Sequence, residues 1–273
     1  MINLRAKKIF VSLSKTFLFI GLMVVVGSLL NYGWKALPFA KNINRLISEG
    51  AAVIVIFGLY YLFMAKWSRV PLPKLNLFPS VRRLALLGCG ILIGFALLTA
   101  VFFIIKSLGA ISISALEDPN IAHNALILFI TMLFVAIWEE AAFRGCILQM
   151  LSESIGVHPS CIVIALSFGL LHLLSPLASP QIVVSTFMSG MLLGYAYFYT
   201  GNLYLPIGIH FGWNFMNSLL FSGKFYNVEY LNNTLAGTKN PEQGVIAIMM
   251  TGMVAICLAV LYVRKTKTVV IVR

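Results

Sequence analysis

Acidic residues are scarce: the 273-residue chain has eight Asp and Glu against 20 Lys and Arg, and charged residues of both signs make up only 10%. That shortage excludes an ordinary soluble domain, in which about a quarter of residues are charged. The single aspartate, Asp118, leaves no pair for an aspartyl protease. Neither Gly-x-Ser-x-Gly nor His-Glu-x-x-His occurs, which removes the usual signatures of serine hydrolases and zincins. Cys89, Cys146, Cys161 and Cys257 fall singly in apolar runs, so they read as small buried hydrophobes and predict no disulfide framework. No Gly- or Ser-rich linker and no internal repeat divides the chain, which disfavours the inverted halves of many transporters. One membrane domain, 1–273, is the simplest partition.

What is present is hydrophobic sequence, 60% of residues with a mean hydropathy of +0.95. Apolar runs long enough to span a bilayer cover 10–31, 49–66, 83–105, 122–150, 159–176, 181–200, 203–222 and 244–263. The expected fold is therefore an all-α polytopic membrane protein of about eight transmembrane helices. The first run follows Arg5, Lys7 and Lys8, but it is longer than a signal h-region and lacks a small-x-small cleavage site, so it reads as a retained helix. Lys66, Arg69, Lys74, Arg82 and Arg83 lie between runs two and three, Glu117 and Asp118 follow run three, and Arg264, Lys265, Lys267 and Arg273 follow the last. The positive-inside rule then predicts both termini in the cytoplasm; a bacterial plasma membrane is the expected location. The hydrophilic segment 222–243 is expected on the opposite side. Pro71, Pro73, Pro79, Pro176, Pro180 and Pro206 mark boundaries. The net charge of +12 is spread over membrane flanks, which points to anionic lipid as a partner and away from nucleic acid. No pattern specifies an oligomeric state.

Against that background Glu139 and Glu140 stand out, within TMLFVAIWEEAAFRGCIL at 131–148. A carboxylate in a membrane helix costs at least about 2.5 kcal/mol unless paired or wet, so the pair marks a functional site. Glu140 and Arg144 share a helix face at i,i+4 and can form a charge-assisted pair, whereas Glu139 lies about 100° round the axis. The two carboxylates therefore have different jobs. His172 in SFGLLHLL and His210 in LPIGIHFGWNF also lie in apolar runs. Alone, either histidine reads more readily as a packing residue or a ligand. His210 and Asn214 share a face at i,i+4, and both offer N–H donors. Counting ~1.5 Å per residue from expected cytoplasmic ends near 150, 158 and 203 puts Glu139 and Asn214 roughly 16 Å deep, His172 roughly 21 Å and His210 roughly 10 Å. A glutamate and a histidine can take the proton of a water while a histidine and an asparagine hold an oxyanion. That set suffices to hydrolyse an amide without a covalent intermediate.

The same residues form Glu139-Glu140-Ala141-Ala142-Phe143-Arg144, Phe168-Gly169-Leu170-Leu171-His172 and His210-Phe211-Gly212-Trp213-Asn214. In that order they resemble the CAAX protease and bacteriocin-processing family, also called the Abi family, which includes the Rce1-type prenyl endopeptidases. The resemblance covers about 122–222, which would be the family catalytic core. It implies an intramembrane glutamate-type endopeptidase acting on a membrane-associated or prenylated protein or peptide, with the active site between helices four, five and seven. By the same resemblance, Glu139 and His172 activate water and His210 and Asn214 form the oxyanion site. Glu140 and Arg144 support them, and Phe168 packs the site and orients its helix.

Glu139, Glu140, His172 and His210 are also residue types that bind zinc, and residue count alone does not choose a ligand set; metal-independent catalysis without a cofactor is the favoured reading. A non-catalytic immunity or membrane scaffold and a proton-coupled transporter are the competing readings. Trp138 and Trp213 adjoin the polar sites and read first as packing residues. Gly190 and Gly194 read as a close helix contact, and Met249, Met250 and Met253 as core filler.

Overall fold

Lipid offers backbone groups no hydrogen bonds, so apolar runs close them internally as helices. The computed structural model describes residues 4–35, 37–62, 78–117, 119–175, 178–238 and 240–271. Lys66, Arg69, Lys74, Pro71, Pro73, Asp118, Pro176 and Arg273, on which part of the expected organisation rests, lie outside them. The helices are α1 (Leu4–Trp34), α2 (Lys41–Tyr60), α3 (Val81–Ser107), α4 (Ile121–Glu140), α5 (Gln149–Ile155), α6 (Val157–Leu171), α7 (Pro180–Thr200), α8 (Tyr204–Phe221), α9 (Asn233–Ala236) and α10 (Val245–Ile271). A π-helical segment, Ala141–Leu148, joins α4 to α5, and a 3₁₀ turn, His172–Leu174, ends α6.

Among the described residues, seven helices are long and apolar enough to cross a membrane. The run expected at 203–222 does form a helix, α8, but His210, Asn214 and Asn217 make it too polar to join that set. The fourth candidate span is the continuous Ile121–Ile155, longer than the expected 122–150. The second begins at Lys41, eight residues ahead of the expected 49, so Glu49 lies inside α2 instead of at its edge. Arg45, one turn earlier, approaches Glu49 at 3.7 Å, and this local pairing lets the helix start ahead of the purely apolar run.

The chain forms two compact units, Met1–Phe78 with Ala122–Ser160, and Pro79–Ile121 with Cys161–Arg273. In the first, α1 packs on α2 and α5. The Ser12 and Ser154 hydroxyls are 2.6 Å apart, and Lys8 Nζ donates to the Glu153 carbonyl at 3.1 Å. Ile147, Leu148 and Leu151 are fully enclosed.

In the second unit the closest helix crossing is between α3 and α8, and it is made by glycine. A Cβ on Gly94 would meet Trp213 N at 2.7 Å and Gly212 Cα at 3.0 Å, and one on Gly208 would meet Gly90 Cα at 2.9 Å. Two small-x-x-x-small steps, Gly90/Gly94 and Gly208/Gly212, thus bring two backbones into contact. His210 lies about 200° round α8 from Gly208 and so faces away from α3. Gly190 makes the expected close contact, against Ala165 of α6, where its Cβ would approach Ala165 Cα at 2.8 Å. Ser179 caps α7 by accepting from Ile182 N at 3.2 Å, Pro180 occupies the first turn, and Gly201 ends the helix at φ 70°.

A two-stranded antiparallel ribbon pairs β1 (Ile111–Ala115) with β2 (Tyr226–Tyr230), Ile111 opposite Tyr230 and Ala115 opposite Tyr226. Both stretches lie outside the apolar runs, and the sequence reading assigned no strand to either. Pairing 115 residues apart organises part of the hydrophilic segment 222–243.

Candidate active site

The first unit holds the carboxylates. Glu140 ends α4, and the π-helical segment begins at the next residue; such segments are rare and cluster at functional sites. All eight of its residues are buried. Arg144 Nη1 donates to Glu140 Oε1 at 2.7 Å, and both side chains have 0% exposure. The i,i+4 pair expected from the sequence therefore forms, in a place where neither charge reaches solvent. Arg144 also lies over the Phe143 ring at 5.8 Å. Glu139 is half-buried and lies within electrostatic range of Glu49.

The second unit holds the imidazoles and the amide. His172 sits where α6 tightens into the 3₁₀ turn, with Nδ1 2.9 Å from the Phe168 carbonyl oxygen. A carbonyl only accepts, so in the neutral ring this contact assigns the proton to Nδ1 and the basic lone pair to Nε2. The Phe168 ring meets His172 edge-to-face at 4.8 Å and His210 at 6.4 Å and 84°. One aromatic ring thus touches both imidazoles. His210 is buried, whereas His172 and Asn214 are half-buried and retain access for a ligand.

Two tryptophans read first as packing residues carry a polar function as well. Trp138 Nε1 donates to Glu49 Oε2 at 2.9 Å within the first unit. In the second, Trp213 Nε1 donates to Glu242 Oε1 at 2.5 Å, and Asn217 Nδ2 donates to the same oxygen at 3.1 Å. Asn240 Nδ2 reaches Glu242 Oε2 at 3.2 Å. Burial first, and then the Glu242 charge, push the Tyr230 phenol above its ordinary range, so it stays protonated. Sequence reasoning passed over Glu49, Asn217 and Glu242. The only available signal was a glutamate near the start of one apolar run.

Among the described residues, no group of three or more His, Cys, Asp or Glu side chains gathers as a metal site.

Residues 121–216 match the Rce1-like family of type II CAAX prenyl endopeptidases. The matched stretch contains all three motifs. No curated protein matches the chain.

Proposed function

We propose, from the Rce1-like CAAX protease assignment of residues 121–216, that the chain is an intramembrane glutamate-type endopeptidase cleaving a membrane-associated or prenylated protein or peptide. The observation that carries the reading is the contact of one Phe168 ring with both His172 and His210, with the His172 Nδ1 proton held by a backbone carbonyl. That arrangement presents a basic Nε2 beside a second imidazole able to donate.

In the proposed reaction Glu139 and His172 Nε2 share the proton taken from a water. The resulting hydroxide attacks the scissile carbonyl carbon. The carbonyl oxygen becomes an oxyanion that accepts hydrogen bonds from His210 and the Asn214 amide. Collapse breaks the C–N bond, the held proton passes to the leaving nitrogen, and an acid and an amine leave. Glu140 and Arg144 hold the helix around Glu139, and Phe168 orients the imidazoles. No step passes through a metal. The helices act as one membrane domain of eight spans, α8 included, whose core is 122–222, with both termini cytoplasmic in a bacterial plasma membrane.

Anionic lipid is the proposed second partner. Lys7, Lys8 and Lys15 of α1, with Ser12, line a cavity of about 390 Å³ that also meets Glu153 and Ser154 of α5. Ammonium groups over an apolar stem suit an anionic headgroup at the membrane surface.

The test is cleavage of a membrane peptide by Glu139→Gln protein. Gln keeps the volume and hydrogen bonding but not the base, so turnover should fall at least about 100-fold with folding retained. Wild-type turnover in that variant would overturn the assignment.

A further inference from the structure

Glu49 is a membrane-helix carboxylate outside all three motifs. It lies well inside α2, a candidate span, with a side chain only 19% exposed. A residue so placed needs a reason, because removing a carboxylate from water is costly unless it is engaged. Its partners are Arg45 on its own helix and the indole of Trp138, the residue immediately before Glu139. Glu242 engages Trp213 in the same way, and Trp213 immediately precedes Asn214 and lies three residues after His210. Among the described residues the pattern occurs once in each unit. In both, a carboxylate from a segment that carries no motif residue holds the indole N–H beside a motif residue.

We infer that Glu49 and Glu242 are positioning residues, which fix the rotation of the motif helices by holding Trp138 and Trp213. An indole N–H seeks an acceptor when buried, and a charged acceptor makes the stronger bond. With the indole fixed, the backbone it is attached to cannot turn freely about the helix axis, and the neighbouring Glu139 or Asn214 keeps its direction. Packing alone does not do this at Trp138. A cavity of about 270 Å³ opens against both Trp138 and Glu49, bounded by Met23, Gly27 and Ala52, so the indole has room to move once its acceptor is gone. At Trp213 the hold is reinforced by Asn217, one turn along α8, which donates to the same Glu242 oxygen.

The effect on turnover rests on the hydrolytic reading; the effect on the indoles does not. The experiment therefore uses two readouts on the full chain in lipid. Glu49→Leu and Glu49→Gln, and the same two changes at Glu242, are compared by kcat and KM on a cleaved membrane peptide, and by the emission of the single tryptophan concerned with the other three tryptophans replaced by Phe. Leu at either position should shift that emission and lower kcat about 10- to 100-fold with KM little changed, the scale expected when a reacting group is displaced by about 1 Å. Gln retains an acceptor oxygen and should recover most of both signals. Unchanged emission and kcat in both Leu variants would overturn the inference. So would equal losses in Gln and Leu variants, which would assign the effect to charge instead of position. If wild type cleaves nothing, the hydrolytic reading fails, and a shift with Leu but not Gln would still support the anchors.

Discussion

The Glu140–Arg144 pair is the most tightly constrained interaction of the motif set, because neither side chain has any exposure. A buried pair contributes little net stability over a hydrophobic replacement, but breaking it strands one charge at a cost of about 3–5 kcal/mol. Arg144→Ala should therefore lower the thermal midpoint or the folded yield in detergent, and reduce turnover through the disturbed helix. A variant with unchanged melting and cleavage would remove the supporting role. This pair was legible in the sequence because both partners lie one turn apart, a spacing that survives the π-helical winding. Glu49 was not, since its partner Trp138 is 89 positions away and the apolar run alone suggested that the helix began at Glu49. The Glu242 contact was hidden for the same reason, 29 positions from Trp213. Charged residues in spans are visible from composition; their long-range partners are not.

Helix α8 carries His210, Asn214 and Asn217 and is also the helix held closest to a neighbour. Gly208 and Gly212 bring it onto α3, and this leaves the opposite side of the helix for His210. Gly212→Ala would place a methyl against Ile91 O and the Phe95 amide, the latter at 3.1 Å, and backbone atoms cannot rotate away. Destabilisation of about 1–3 kcal/mol is expected, measured by denaturation in detergent. Gly88→Ala, in the same helix α3 with nothing within 4 Å, should be neutral or stabilising. Equal effects from both substitutions would contradict the close crossing. The sequence reading found Gly190 as a helix contact, yet missed these four glycines, because each half of the crossing is an ordinary spacing until the other helix is known. The β1–β2 ribbon was missed for a related reason. Its two five-residue strands are too short to be recognised singly and are defined by pairing with each other.

Hydropathy, the chain's broadest property, correctly predicted a polytopic helical membrane protein, and the motif spacing led to the family found over 121–216. It located helix ends less well, as α2 shows, since a salt bridge or a favourable tertiary contact can carry a helix beyond its apolar run. The excess of Lys and Arg makes a separate prediction for the molecule in its membrane. Replacing Lys7, Lys8 and Lys15 together with Gln should remove the added thermal stability that vesicles of phosphatidylglycerol provide over phosphatidylcholine. Undiminished dependence on phosphatidylglycerol would place the lipid contact elsewhere. The most direct test of the central claim is mass-spectrometric detection of products after purified wild-type and Glu139→Gln proteins, both shown to be folded, are incubated in lipid with a library of membrane peptides that includes prenylated ones, with and without a chelator. The account predicts new peptide termini with the wild type, equally with the chelator present, and none with Glu139→Gln. Matching products from both proteins, or none from either, would contradict it.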